Sequence, residues 1–159
     1  IGGGLTARSQ GSKGAVLNMQ LEKPLAENFS LPLSLDIGYT VSTDYNTFNI
    51  EISKGFKRSF DSGLFIEQSI GIGLMAHYYK VESMWYYTET TYAGRYYEGA
   101  NWGVTPSIKA GIGYNLTHKK GEQNLIWLRP KVYWNMSTQT FDIPFAAIQV
   151  GYTHQIKLK

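Results

Sequence analysis

Read in steps of two, the chain alternates apolar and polar residues almost from end to end. A strand does this because its successive side chains point to opposite faces. The clearest stretch is residues 31–41, where Leu31, Leu33, Leu35, Ile37, Tyr39 and Val41 alternate with Pro32, Ser34, Asp36, Gly38 and Thr40. The same pattern predicts strands over about 1–9, 15–22, 48–57, 64–78, 103–116, 126–136 and from about 141. Lys54 and Gln68 fall on the apolar parity of their segments and break it. Turn residues separate the segments, with Gly11, Ser12 and Gly14 after the first, Thr43, Asp44, Tyr45 and Asn46 after the third, and Asp61, Ser62 and Gly63 after the fourth. Helical spacing fits nowhere over a comparable length. Short connections pair each segment with the next, so the expectation is an all-β, eight-stranded antiparallel up-and-down barrel occupying residues 1–159 as one domain.

Strand length and face composition decide what the barrel faces. Segments of nine or more residues suit the roughly 9–11 that a tilted strand needs to cross a hydrocarbon layer, against about five or six in ordinary soluble strands. Glycine recurs on the polar parity at Gly38, Gly55, Gly71, Gly73, Gly111, Gly113 and Gly151. A narrow bore needs such residues to make room for long ones, and a solvent face does not. The polar parity also carries Glu22, Asp36, Glu51 and Glu67 with Arg8, Lys57, Lys109, Arg129 and Lys131. These nine residues are the expected ion network of the interior, where pairing makes burial tolerable. On the apolar parity, Tyr39, Phe48, Tyr78, Trp102 and Trp134 fall towards one set of strand ends, and Phe56, Tyr114 and Tyr152 towards the other. Two aromatic belts at membrane–water interfaces account for that sorting.

Composition narrows this further. Mean hydropathy is −0.25 with 43% hydrophobic residues, and no apolar run approaches the roughly 18 residues of a membrane helix. Membrane helices are thereby excluded, but a barrel that exposes only every second residue to lipid is not. The chain has no cysteine, so disulfides and thiolate metal sites are out. A formal charge of +3 without a basic run gives no reason to expect nucleic acid. The sequence opens at Ile1 with no charged-then-apolar export segment in view, which leaves processing or trimming of a precursor open.

On these eight segments the chain resembles the small outer-membrane barrels related to OmpA, OmpX and OmpW, a resemblance of architecture rather than of a sequence motif. It implies a bacterial outer-membrane location, chain ends in the periplasm, short periplasmic turns and longer outside loops. Turns near Ala26, Glu27 and Asn28, near Asp61, Ser62 and Gly63, and near Lys120, Gly121 and Glu122 would then be periplasmic, and the connection near 80–101 extracellular. Members commonly close their last strand with an aromatic residue, whereas here Ile156, Lys157, Leu158 and Lys159 follow Tyr152.

Candidate chemistry is sparse. The 80–101 connection holds Trp85, Tyr86, Tyr87, Tyr92, Arg95, Tyr96 and Tyr97, an aromatic set beside arginine that is typical of binding surfaces, on a hairpin expected to turn near Ala93 and Gly94. His77, His118 and His154 are scattered, with no nucleophile, base and orienter in sequence proximity, although Ser107 is a conceivable neighbour of His77. Three separate histidines lack metal-ligand spacing, and no cofactor is expected. Gly71-Ile72-Gly73 and Gly111-Ile112-Gly113 lie within strands and precede no helix, which makes them packing glycines rather than nucleotide loops. The expectation is a non-enzymatic structural or interaction barrel with the aromatic hairpin as its binding element. Its partners would be outer-membrane lipids and lipopolysaccharide, and a larger outer-membrane complex of which it would be an accessory subunit. A lipid A-modifying barrel enzyme and a soluble lipocalin-like ligand-binding barrel are the alternatives.

Overall fold

A computed structural model of the chain describes residues 1–9, 11–43, 45–79, 100–117, 122–134, 136–137, 140–141 and 144–156. Among them there is no helix. The strands are β1 (Gly2–Arg8), β2 (Lys13–Ala26), β3 (Phe29–Val41), β4 (Tyr45–Ser59), β5 (Leu64–Tyr79), β6 (Ala100–Asn115), β7 (Glu122–Tyr133), the two-residue β8 (Met136–Ser137) and β9 (Thr140–Phe141), and β10 (Phe145–Ile156). Each of β1 to β6 pairs antiparallel with the next, β10 pairs with both β7 and β1, and the ring closes. The barrel therefore has eight staves, as the alternation indicates. Closure leaves none of the eight with an unpaired edge, which is what a sheet surrounded by lipid requires.

Several local expectations are corrected. Most staves run two to four residues beyond the segment read from alternation, because pairing continues where the hydrophobic contrast fades. Gly14 belongs to β2 rather than to the preceding turn, and Tyr45 and Asn46 open β4 rather than close a turn. Gly11 (φ 75°) and Gly63 (φ 86°) do turn the chain, in the left-handed region that glycine occupies without steric cost. The final segment is not one strand from 141. β8 continues the line of β7 against β6, β9 folds back on β8, and β10 starts afresh at Phe145.

The two faces are inverted relative to a soluble barrel. Leu33, Ile70, Ile112 and Val150 are 46%, 70%, 46% and 55% exposed, whereas Glu51, Lys109 and Arg129 are 1%, 5% and 5% exposed. Apolar side chains of every stave thus form one continuous outer surface, far beyond the few hundred Å² of contiguous apolar patch that a water-soluble monomer carries. The lipocalin-like alternative, which needs an apolar bore, does not fit this arrangement. Tyr39, Tyr78 and Trp102 stand exposed at one rim, and Phe56, Tyr114, Tyr152 and Phe29 towards the other, the end that carries Ile1.

Candidate functional site

The bore is built by residues whose parity the pleat fixes. Asp36 of β3 and Glu51 of β4 are direct cross-strand partners, and so are Lys109 of β6 and Lys131 of β7. Like charges directly opposite one another destabilise an isolated sheet. In the closed barrel these two pairs face each other across the axis. Lys109 Nζ lies 2.7 Å from Asp36 Oδ2 and 3.0 Å from Glu51 Oε1, and Lys131 Nζ donates to Glu51 Oε2. Asn18 adds a donor to Asp36 Oδ1. All four charges are buried, so each is compensated by the opposite wall rather than by water.

Nearer the end that carries Ile1, Arg129 pairs with Glu67 and donates to Gln20 Oε1 at 3.1 Å. Glu22 accepts from Lys57 Nζ at 3.1 Å, from Ser30 Oγ, and from Gln155 Nε2 at 3.1 Å. Towards the other end Arg8 donates to Asn49 Oδ1 at 3.1 Å and lies 5.5 Å from the centre of the Tyr133 ring. Of the nine network residues read from the sequence, the structure joins eight into ion pairs, while Arg8 has no carboxylate partner among the described residues.

Glycine makes these placements possible. A Cβ at Gly71 would come within 3.0 Å of Glu51 Oε1 and 2.8 Å of Ser107 Oγ, and one at Gly111 within 2.7 Å of Glu67 Cγ. The alternation understated one component, the apolar groups on the inward parity. Phe65, Trp127, Val16 and Leu125 form a buried cluster inside the barrel, and Met75, Tyr133 and Ala147 form another, with Phe145 against it. Trp127 donates from Nε1 to Thr153 Oγ1 at 2.9 Å, and Arg129 lies over its ring at 4.2 Å. Phe65 and Trp127 occupy polar-parity positions, the one signal that marks them in the sequence. These side chains fill the described part of the bore. A cavity of about 10 Å³ beside Glu67, Lys109 and Arg129 holds no more than a single water.

The histidines separate from one another. His77 faces the bore at 3.1 Å from Thr47 Oγ1 and edge-on to Tyr45, and its cross-strand partners are Thr47 and Asn101. Ser107 is not its neighbour, since it pairs with Gly71, six residues along β5. His154 lies on the outward parity at the opposite end, its Nδ1 2.8 Å from Asn124 Oδ1. Tyr152 donates to the same oxygen, and Asn124 Nδ2 donates to Thr117 Oγ1. This polar set on the outward face joins three separate segments and had no local sequence signature. His118, the Ala93-Gly94 turn, and Trp85, Tyr86, Tyr87, Tyr92, Arg95, Tyr96 and Tyr97 lie outside the described residues. Among the described residues no group of three His, Cys, Asp or Glu side chains is placed to hold a metal ion.

No family model matches the chain, and no curated protein sequence does. Among solved structures the chain is similar to the crystal structure of the outer membrane enzyme PagL, at 15% identity over 96% of both chains with a TM-score of 0.49. The narrower resemblance to the OmpA, OmpX and OmpW group gains nothing from the comparison. The expectation that the chain is not an enzyme is corrected against this neighbour, PagL, which is an outer membrane enzyme.

Proposed function

We propose that the protein is an outer-membrane barrel with a sealed bore, which meets its ligand, substrate or partner on its lipid-facing surface or at its rims. The observation that supports this most directly is the four-charge box of Asp36, Glu51, Lys109 and Lys131 spanning the axis inside a largely apolar outer wall. Opening a pore would require these buried ion pairs to be parted, and breaking a buried pair is costly. Orientation follows from loop length. The connections at the Ile1 end are short, such as the step from β2 to β3, while β5 and β6 are joined at the other end by the longest connection, which outer-membrane barrels place outside the cell. The termini are then periplasmic.

Reconstitution in planar bilayers tests the seal. Steady ion conductance from the folded protein would refute it, and silence together with protease protection of the strands in vesicles is the expected result.

A second, more specific reading is a lipid-modifying enzyme, as PagL is an outer membrane enzyme. It is favoured by His154, which sits on the lipid face with Nδ1 engaged by Asn124. The other ring nitrogen would then be the atom that takes a proton from a water or hydroxyl. Mass spectra of total membrane lipids from cells carrying the wild type or His154→Ala decide it, since identical acyl patterns in cells with wild type, with the variant and without the protein would end this reading.

A further inference from the structure

Glu122 of β7 is the one carboxylate on the outward parity of the described strands, and it lies across the ring from β2 to β5, whose outward face carries none, while Glu27 and Asp61 stand in the turns at the Ile1 end. The outward face of the described strands carries four cations, of which Lys13 stands alone near the rim opposite Ile1. The other three, Lys23 on β2 and Lys54 and Arg58 on β4, lie towards the Ile1 end of two staves separated by β3 and are all exposed. Lys54 pairs with Leu33 on one side and Ile70 on the other, Lys23 with Leu31, and Arg58 with Phe29 and Ile66. None of the three makes an ion pair among the described residues. Gln68, the other break in the apolar parity, is exposed and pairs with Phe56, two residues from Lys54. Both irregularities of the hydrophobic pattern therefore fall on one patch.

A cation on the lipid face of a barrel costs about 2–4 kcal/mol at the bilayer midplane and little near the headgroups. Lys54 lies two residues deeper than Phe56 of the aromatic belt, within reach of the headgroup level by its flexible stem. Arg58 is already there, its guanidinium 5.3 Å from the Phe29 ring and 5.1 Å from the Phe60 ring. By register Lys23 stands level with Phe56, which puts it about 12 Å from both Lys54 and Arg58, and these two are about 13 Å apart along the strand, as extended backbone and strand spacing dictate. Three long cationic side chains on that frame can converge on one phosphodiester, with the Gln68 amide as a neutral donor to its glycerol or ester oxygens.

We propose that Lys23, Lys54, Arg58 and Gln68 form a binding site for the headgroup of an anionic glycerophospholipid in the leaflet that contacts the Ile1 end of the barrel. The site rests on the membrane reading and on the orientation given above. A bare apolar surface would have no preference among headgroups. Cations without carboxylates select negative charge.

Native mass spectrometry of the full chain released from detergent, after incubation with equal amounts of phosphatidylglycerol and phosphatidylcholine, tests it. Wild type is expected to retain phosphatidylglycerol with a preference on the order of tenfold, and Lys54→Leu with Arg58→Leu to abolish the preference. Both replacements put an apolar residue on an apolar face, and heat-modifiable gel migration checks that the barrel is folded. Should the double variant not fold, the wild type alone decides, because the preference must fall steeply as salt rises. Equal retention of both lipids by a detergent-requiring wild type, an undiminished preference in a folded double variant, or a stronger preference for lipid A than for phosphatidylglycerol would each overturn the site. A wild type that stays dispersed without detergent and retains no lipid would instead overturn the membrane reading on which it stands.

Discussion

Lys109 Nζ lies 2.7 Å from Asp36 Oδ2 across the bore, although β6 and β3 are not neighbours in the sheet. Asp36 stands beside Glu51, and Lys109 beside Lys131, so each wall alone is self-repelling and the closed ring is not. This ties the energetics of the interior to closure of the barrel. Local hairpin formation gains nothing from these four residues, and joining the two halves gains from all of them.

Lys109→Met should consequently be among the most damaging interior substitutions. It leaves Asp36 and Glu51 facing each other with only Lys131 to compensate, and a cost of about 3–5 kcal/mol is expected for breaking a buried pair. Denaturant unfolding from lipid vesicles measures it. Lys109→Met combined with Asp36→Asn should cost less than the sum of the two single variants, and strict additivity would show that the pair is not coupled.

Arg8 offers the contrasting case. Its partner is the neutral Asn49 amide oxygen rather than a carboxylate, so Arg8→Met strands no buried charge. A loss of about 1 kcal/mol is expected, in line with an ordinary hydrogen bond. An effect as large as that of Lys109→Met would point to a carboxylate partner for Arg8.

Trp127 provides a spectroscopic test of interior packing. A Cβ at Gly151 would lie 2.6 Å from its Cη2 atom and touch the backbone of Gly3 as well. Gly151→Val should destabilise the barrel by about 1–3 kcal/mol through overpacking and shift the tryptophan emission, whereas Ile148→Val on the outer face of the same strand should do neither. Tryptophan fluorescence with unfolding curves for the two variants separates these outcomes.

Charge on the outer wall should be tolerated by position. Ile72→Arg, midway between the two aromatic belts on β5, is expected to cost about 2–4 kcal/mol of folding stability in bilayers. Lys54→Leu should be neutral or stabilising when the vesicles contain only zwitterionic lipid. Equal stability of wild type and Ile72→Arg in bilayers would mean that this wall does not meet hydrocarbon.

Period-two alternation by itself determined the number of staves, their antiparallel order and the two faces, because the pleat assigns parity without reference to any other strand. Leu31 to Val41 needed no partner to be read as a two-faced strand. Tertiary structure alone decided which cation meets which carboxylate, since Lys109 and Asp36 are brought together by ring closure and not by sequence proximity. It likewise decided that Phe65 and Trp127, on the polar parity, fill the bore beside Gly113 and Gly151. Asn124, Tyr152 and His154 met for the same reason, as did Lys23, Lys54 and Arg58 on one patch of the outer wall. Alternation tells a side chain which face it occupies, and only strand register and shear tell it what stands opposite.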